Sequence, residues 1–151
     1  MKKKILLLLC LGFIPLAGIA PVKHEKEFIV IKTEPVVVFD AMLYAFEKIE
    51  SNFDTKVINK LGYGGILQIG QEMIDEVNRI CKKQGIKKHF RLKDRLDKAL
   101  SEEMWYIVQN YHNPDYSLKR ACKVWNPTAS KRYYDKIREA YIKKYFEINK
   151  K

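Results

Sequence analysis

The sequence predicts an all-α protein with one compact helical domain behind an N-terminal signal peptide. Hydrophobic residues recur at spacings of three and four along most of the chain, which is the period of an amphipathic helix. No stretch alternates well enough to require a large sheet, so at most a small hairpin within residues 55–69 is expected. With 151 residues, of which 47% are hydrophobic, the chain has the usual length of one domain.

The N-terminus has the pattern of a secretory signal peptide. A positive region at Lys2–Lys4 precedes an apolar run over residues 5–19, and small residues lead up to Ala20. Pro15 interrupts the run, which is short for a membrane-spanning helix, although an uncleaved anchor is the alternative. We expect residues 1–20 to be removed on export, leaving no integral membrane span. The expected location is the periplasm, the cell envelope or the extracellular space.

The first two helices are expected after an extended arm at residues 21–35. The first should run from residue 36 to about residue 52. Four apolar residues share one face of it: Phe39, Leu43, Phe46 and Ile49. A glycine-containing loop follows, and a second helix is predicted for about residues 70–83. Gly85 is a favourable stop because glycine adopts the left-handed backbone that ends helices.

Three further helices complete the predicted domain, which spans residues 36–151. The third should cover about residues 98–111 and end before Asn113-Pro114. The fourth is expected from residue 116 to residue 125. Ser130 can cap the fifth, which runs toward the lysine-rich end.

The charge of the chain narrows its possible partners. The net charge is +11, and removing the three lysines of the leader leaves +8. A basic protein is attracted to anionic surfaces. Nucleic acid is the usual partner of such a protein inside a cell, whereas an exported one meets cell-wall polymers and anionic lipid. We therefore expect no nucleic acid partner. A basic helical protein that binds anionic lipid or nucleic acid is kept as an alternative function.

The cysteines and histidines do not indicate a cofactor. Cys81 and Cys122 remain after loss of the leader, either as a disulfide in an oxidising compartment or as two buried thiols on helices. His24, His89 and His112 are scattered and have no cysteine at zinc-ligand spacing. Neither a metal nor a cofactor is predicted, and the oligomeric state stays open.

Glu50 is the most informative residue of the first helix. It continues the face of Phe39, Leu43 and Phe46 instead of leaving it. A carboxyl on a buried face loses hydration, which raises its pKa and keeps it protonated. A neutral carboxylic acid is what protonation of a glycosidic oxygen requires. The alternative is a glutamate that turns to solvent in a frayed last turn.

The residues around and after Glu50 resemble the signature of soluble-type lytic transglycosylases and goose-type lysozymes. The matching segments are Glu50-Ser51-Asn52-Phe53-Asp54, Gly62 and Gly65-Ile66-Leu67-Gln68-Ile69. Downstream, Ala121 to Asn126 is similar to the family's Ala-x-x-Tyr-Asn, with Trp125 in place of Tyr and one more residue between Ala121 and the aromatic residue. Residues 133–137 are similar to its Tyr-Val-x-Lys-Val. The resemblance implies a lysozyme-like helical domain that cleaves the MurNAc–GlcNAc β-1,4 bond of peptidoglycan glycan strands.

The resemblance also implies roles for six residues. Glu50 is the expected catalytic residue, as acid and then base of a lytic transglycosylase. The expected substrate-binding residues are Ser51, Gln68, Trp125, Asn126 and Tyr133. For Ser51, hydrogen bonding to the loop backbone is a competing role. A lysozyme-type hydrolase of the same bond would need a second carboxylate, and the nearest, Asp54, is better placed to order the loop.

The chain departs from the family where substrate would bind. Asn59, Tyr63 and Ser101 replace residues that are Ser, Ala and Gly in relatives, and Pro127-Thr128 replaces a glycine-rich segment. Proline narrows the backbone choices there. A non-catalytic glycan-binding or envelope-structural module on the same fold is therefore the second hypothesis.

Five aromatic residues are candidates for stacking on sugar rings: Tyr63, Trp105, Trp125, Tyr133 and Tyr134. Most aromatic residues at helical spacing belong to a core. Trp125 is the one predicted to line the cleft, because it precedes Asn126.

Overall fold

The computed structural model describes the backbone of residues 34–150 and the side chains of residues 38–150. Five α-helices account for most of this part of the chain: α1 Glu34–Ser51, α2 Gln71–Gln84, α3 Lys98–His112, α4 Leu118–Trp125 and α5 Lys131–Asn149. A 3₁₀ helix, Leu92–Leu96, precedes α3. The predicted signal peptide and all but the last two residues of the predicted arm lie outside the described residues.

The predicted all-α class is confirmed, and all five expected helices are present. Gly85 ends α2 with φ +70°, as expected. The fourth helix starts two residues late because Tyr116 has φ +56°, outside the right-handed helical region. Ser117 then caps α4 by accepting a hydrogen bond from the Arg120 N–H. Ser130 caps α5 in the same way, as predicted.

Helix α1 packs mainly on α5. It runs antiparallel to α5, since Glu50 contacts Tyr133 at one end and Tyr44 packs under Lys144 toward the other. Its apolar face is buried as the spacing predicted, with Phe39, Leu43 and Phe46 in the core. Both phenylalanines pack on Trp105 of α3, each with ring centroids 5.6 Å apart. The described helices form one compact domain.

The segment between α1 and α2 is an ordered loop. Instead of a hairpin ladder it has two isolated bridges, Ile58 with Gly64 and Gly64 with Ile69. Three of its apolar residues enter the core: Ile66, Leu67 and Ile69. The loop is thereby fixed to the helices on both sides.

The two cysteines of the domain are separate thiols. Cys81 of α2 and Cys122 of α4 are both buried and free, so the structure corresponds to the second of the two states expected for them. Among the described helices, the structure shows none with the length and apolar character needed to cross a membrane.

Candidate active site

Glu50 occupies the last turn of α1, where its side chain is partly buried. The hydroxyl of Tyr133, in the first turn of α5, donates a hydrogen bond to Glu50 Oε1 at 2.5 Å. Burial raises the pKa of Glu50, and the Tyr133 hydrogen bond, which favours the ionised form, lowers it by less. The net result is a raised pKa, in the direction that the helical pattern predicted.

Tyr133 keeps its own proton in this pair. Burial and the neighbouring carboxyl of Glu50 both raise the pKa of the Tyr133 phenol. Its O–H therefore remains a donor at ordinary pH, and Oε1 of Glu50 is the acceptor. The second carboxyl oxygen, Oε2, is left to meet a ligand.

Glu50 opens on a cleft of about 550 Å³. Nine residues line it: Glu50, Asn59, Leu61, Tyr63, Gln68, Trp125, Asn126, Pro127 and Thr128. Glu50 is the one carboxylic acid among them. The rest of the lining combines amides and hydroxyls with aromatic and aliphatic side chains, which is a suitable surface for a neutral polar ligand with apolar faces.

Three of the predicted substrate-binding residues meet at this cleft. The Gln68 side-chain amide donates to the carbonyls of Gly65 and Val57 at 3.0 and 3.3 Å. These two hydrogen bonds hold the amide at the cleft. Trp125 donates from Nε1 to the Leu67 carbonyl at 3.2 Å and is mostly buried.

The third cleft residue, Asn126, ends α4. Its Oδ1 accepts a hydrogen bond from the Thr128 hydroxyl at 3.0 Å, and its backbone carbonyl accepts from the Ala129 N–H at 3.0 Å. Pro127 and Thr128, where the sequence departs from the signature it resembles, are exposed and line the cleft. The turn at Pro127 is thus closed by hydrogen bonds to the side chain and the carbonyl of Asn126.

Ser51 and Asp54 serve the backbone of the loop. The Ser51 hydroxyl donates to the Ile66 carbonyl at 2.8 Å, the competing role considered for it, and it is not among the residues that line the cleft. The Asp54 carboxylate accepts from the N–H groups of Lys56 and Val57 at 2.8 and 3.2 Å. Asp54 therefore orders the loop, as expected.

A buried arginine, which the sequence analysis missed, fixes the loop from behind. Arg95 Nη1 donates to the carbonyls of Gly62 and Ile69 at 2.6 and 3.0 Å. The backbone of Gly65 approaches so closely that a Cβ there would lie 1.8 Å from the Arg95 carbonyl oxygen. The Gly64-Gly65 pair signals a close approach of this kind, but it does not identify the arginine as the partner.

The tip of the loop also lines the cleft. Asn59 Oδ1 accepts from the N–H groups of Leu61 and Tyr63 and so shapes the turn. Leu61 is 82% exposed and was not predicted as a site residue. The Tyr63 ring lies against Gly70, where a Cβ would come within 2.5 Å of it. A second groove of about 330 Å³ shares Tyr63 and Gln68 with the cleft, and two acids, Glu72 and Glu76, lie on its wall.

Two of the aromatic residues considered for stacking lie elsewhere. Trp105 has no exposed surface and belongs to the core, so that suggestion was wrong. Tyr134 lines a separate cavity of about 210 Å³ beside α4. Tyr63 and Trp125 line the cleft, and Tyr133 reaches Glu50.

Comparison of the chain with protein-family models, with curated proteins and with solved structures gave no match.

Proposed function

We propose that this protein is a lytic transglycosylase of the lysozyme-like superfamily that cleaves the MurNAc–GlcNAc β-1,4 bond of peptidoglycan. One observation carries the proposal. A partly buried carboxyl with a raised pKa, Glu50, opens on a cleft lined by no second carboxylate among the described residues. The signature that begins at Glu50 supplies the substrate class.

The reaction needs one residue that donates and then recovers a proton. Protonated Glu50 transfers its proton from Oε2 to the glycosidic oxygen, and the bond to the anomeric carbon breaks while the sugar's N-acetyl oxygen adds there. The 6-hydroxyl of the same sugar then attacks that carbon, displaces the N-acetyl oxygen and gives its proton to the Glu50 carboxylate. The product is a 1,6-anhydro end, and Glu50 returns to its starting state.

Tyr133 and Gln68 support this cycle. Tyr133 binds Oε1, so it orients the carboxyl and stabilises the anion that exists between the two proton transfers. Gln68 uses its amide nitrogen on the loop, which leaves its oxygen to accept from a sugar hydroxyl or amide. Trp125 and Tyr63 offer apolar ring surface on the cleft wall.

Hydrolysis of the same bond is the alternative outcome for a catalytic site. A hydrolase places a second carboxylate across the bond to activate water or to act as nucleophile. Asp54 is engaged by two backbone N–H groups and does not line the cleft. Glu72 and Glu76 line only the neighbouring groove, and the Glu76 carboxylate is held by Arg79 and His112. This arrangement favours transglycosylation.

A non-catalytic glycan-binding module is the second candidate function. The observation in its favour is the exposed Pro127-Thr128 segment, which stands where relatives have glycine-rich backbone. Glycine lets a sugar approach the backbone closely, whereas proline both fills space and removes an N–H donor.

Export is part of the proposal, because peptidoglycan lies outside the cytoplasm. The positive mature chain suits the anionic polymers of a cell wall. N-terminal sequencing of the protein from envelope or culture fluid should find a start between about residues 18 and 23. Recovery of intact chains in the cytoplasm alone would contradict export.

The test is digestion of purified sacculi by the wild-type protein and by Glu50→Gln. Wild type should release anhydro-muropeptides, and Glu50→Gln should lower the rate by about 10²- to 10⁴-fold, the usual contribution of general acid–base catalysis. Glu139→Gln, an exposed change on α5, is the matched control. Reducing ends in the product would indicate a hydrolase. Binding without digestion would favour the glycan-binding module.

A further inference from the structure

A second buried acid, Glu47, lies one turn before Glu50 and faces α3. It is 5% exposed, although charged side chains are rarely buried without a partner. Its carboxyl meets that of Glu102, and Lys98 Nζ lies 4.0 Å from Glu47 Oε1 and 3.4 Å from Glu102 Oε1. The Lys98 side chain is 55% exposed, so it compensates the buried charge only in part.

One oxygen of this acid lacks a donor. Glu47 Oε1 is buried and has no hydrogen-bond partner among the described residues. Two ionised carboxylates offer only acceptors to each other, and like charges in contact do not both ionise readily. One proton held between Glu47 and Glu102 turns one carboxyl into a donor and removes one of the two negative charges.

We propose that Glu47 and Glu102 share one proton and that its loss on the alkaline side loosens the α1–α3 junction behind Glu50. The pair is a pH-sensitive clamp on the helix end that carries the proposed catalytic acid. This inference concerns stability and holds whether or not the cleft cleaves a glycan.

The charges around the pair agree with a proton held near neutral pH. The pKa of Glu47 is raised from 4.5 to about 7: burial is the largest cause, the contact with Glu102 adds to it, and Lys98 acts in the opposite direction. Tyr106 of α3 also faces this side and donates to Asp40 at 2.7 Å, so it does not supply Glu47 with a proton. On α5, Lys144 lies over the Tyr44 ring.

The backbone connects the clamp to the site. The Glu47 carbonyl accepts from the Phe53 N–H at 3.2 Å and from the Ser51 hydroxyl at 3.3 Å. Ser51 in turn holds Ile66 of the cleft loop. A shift of α1 at Glu47 is thereby transmitted to the turn that contains Glu50.

The sign of the effect follows from the raised pKa. The folded protein holds a proton on Glu47 at pH values where the unfolded chain has lost it. Its contribution to stability is therefore complete below about pH 4.5 and decreases as pH rises to about 7, the folded value. Other acids form ion pairs when they lose their protons, and these pairs increase stability as pH rises. The effect of Glu47 is therefore seen in the difference between wild type and a Glu47 variant at each pH.

The experiment compares thermal midpoints of the purified protein between about pH 5 and about pH 9. In Glu47→Gln the side-chain amide can donate to Glu102 at every pH. The thermal midpoint of this variant should therefore rise relative to that of wild type, by on the order of 5 °C, as the pH increases over this range. The thermal midpoint of Glu102→Gln should show the same gain. Glu103, which also lies on α3 and pairs with Lys88, provides the control: the midpoint of Glu103→Gln should change with pH as the wild-type midpoint does. A Glu47→Gln midpoint that tracks wild type at every pH overturns the proposal.

Carbon-13 NMR of the wild-type carboxyls gives a second measurement that needs no variant. Glu47 should titrate near pH 7. A Glu47 titration at or below the usual 4.5 would overturn the proposal even where the variants fail to fold.

Discussion

The hydroxyl of Tyr133 lies 2.5 Å from Oε1 of Glu50 and joins the first turn of α5 to the last turn of α1. The two residues are 83 positions apart in the sequence. Burial and this hydrogen bond act on Glu50 in opposite directions, and burial has the larger effect. The pair therefore sets the protonation state on which the proposed reaction depends.

Tyr133→Phe should raise the pKa of Glu50. The change removes the hydroxyl that favours the anion and keeps the ring, so burial acts without opposition. The pKa is measured by NMR titration of the Glu50 carboxyl. Tyr134→Phe is the control, because Tyr134 lines a different cavity. An unchanged or lower pKa in Tyr133→Phe would show that the hydrogen bond does not act on Glu50 in solution.

The sequence predicts the helices well because their signals are local. The buried face of α1 follows from the spacing of Phe39, Leu43 and Phe46, and the position of Glu50 follows from the same count. Glu47, four residues after Leu43, carries that signal as well and was overlooked. Ser130 and Gly85 mark helix ends for reasons contained in one or two residues.

The contacts that complete the site are not local. Arg95 reaches Gly62 over 33 positions, and no pattern around Arg95 marks it as a buried residue. Trp105 was a candidate for stacking on a sugar because tryptophan is a residue type that does so. Its actual place, against Phe39 and Phe46, depends on how α1 packs on α3. Local periodicity gives the face of a helix but not the element that covers it.

Gly65→Ala should destabilise the protein by about 3 kcal/mol or more, because the new Cβ would lie 1.8 Å from the Arg95 carbonyl oxygen. The φ of Gly65, +76°, also disfavours alanine. Gly62→Ala is the matched control. It has a similar φ of +84° and nothing within 4 Å of its Cβ, so a loss of about 1 kcal/mol is expected. Urea unfolding of both variants measures the difference. Equal losses would show that the contact with Arg95 does not restrict Gly65.

Asp54→Asn should leave the reaction products unchanged. Asn keeps the Oδ1 acceptor that the Lys56 and Val57 N–H groups use, so the loop is preserved. A carboxylate that activated water or attacked the sugar would be lost in this variant. Muropeptide analysis after sacculus digestion measures the outcome. Activity that disappears in a folded Asp54→Asn would make Asp54 the second carboxylate of a hydrolase.

Glu50→Gln should gain stability relative to wild type as pH rises. The pKa of Glu50 is raised in the folded protein, so its contribution to stability is present below the usual 4.5 and is lost as pH rises through the folded value. Gln keeps an oxygen that accepts from Tyr133 and never ionises, so the variant avoids this loss. The two groups whose pKa values Glu50 raises, Tyr133 and Cys122, titrate above the pH range of the experiment. Urea unfolding at about pH 4 and about pH 8 gives the two differences in free energy of unfolding. A difference that stays constant, or that turns against Glu50→Gln at the higher pH, would mean that the folded protein prefers the ionised carboxylate, and the general-acid role would lose its physical basis.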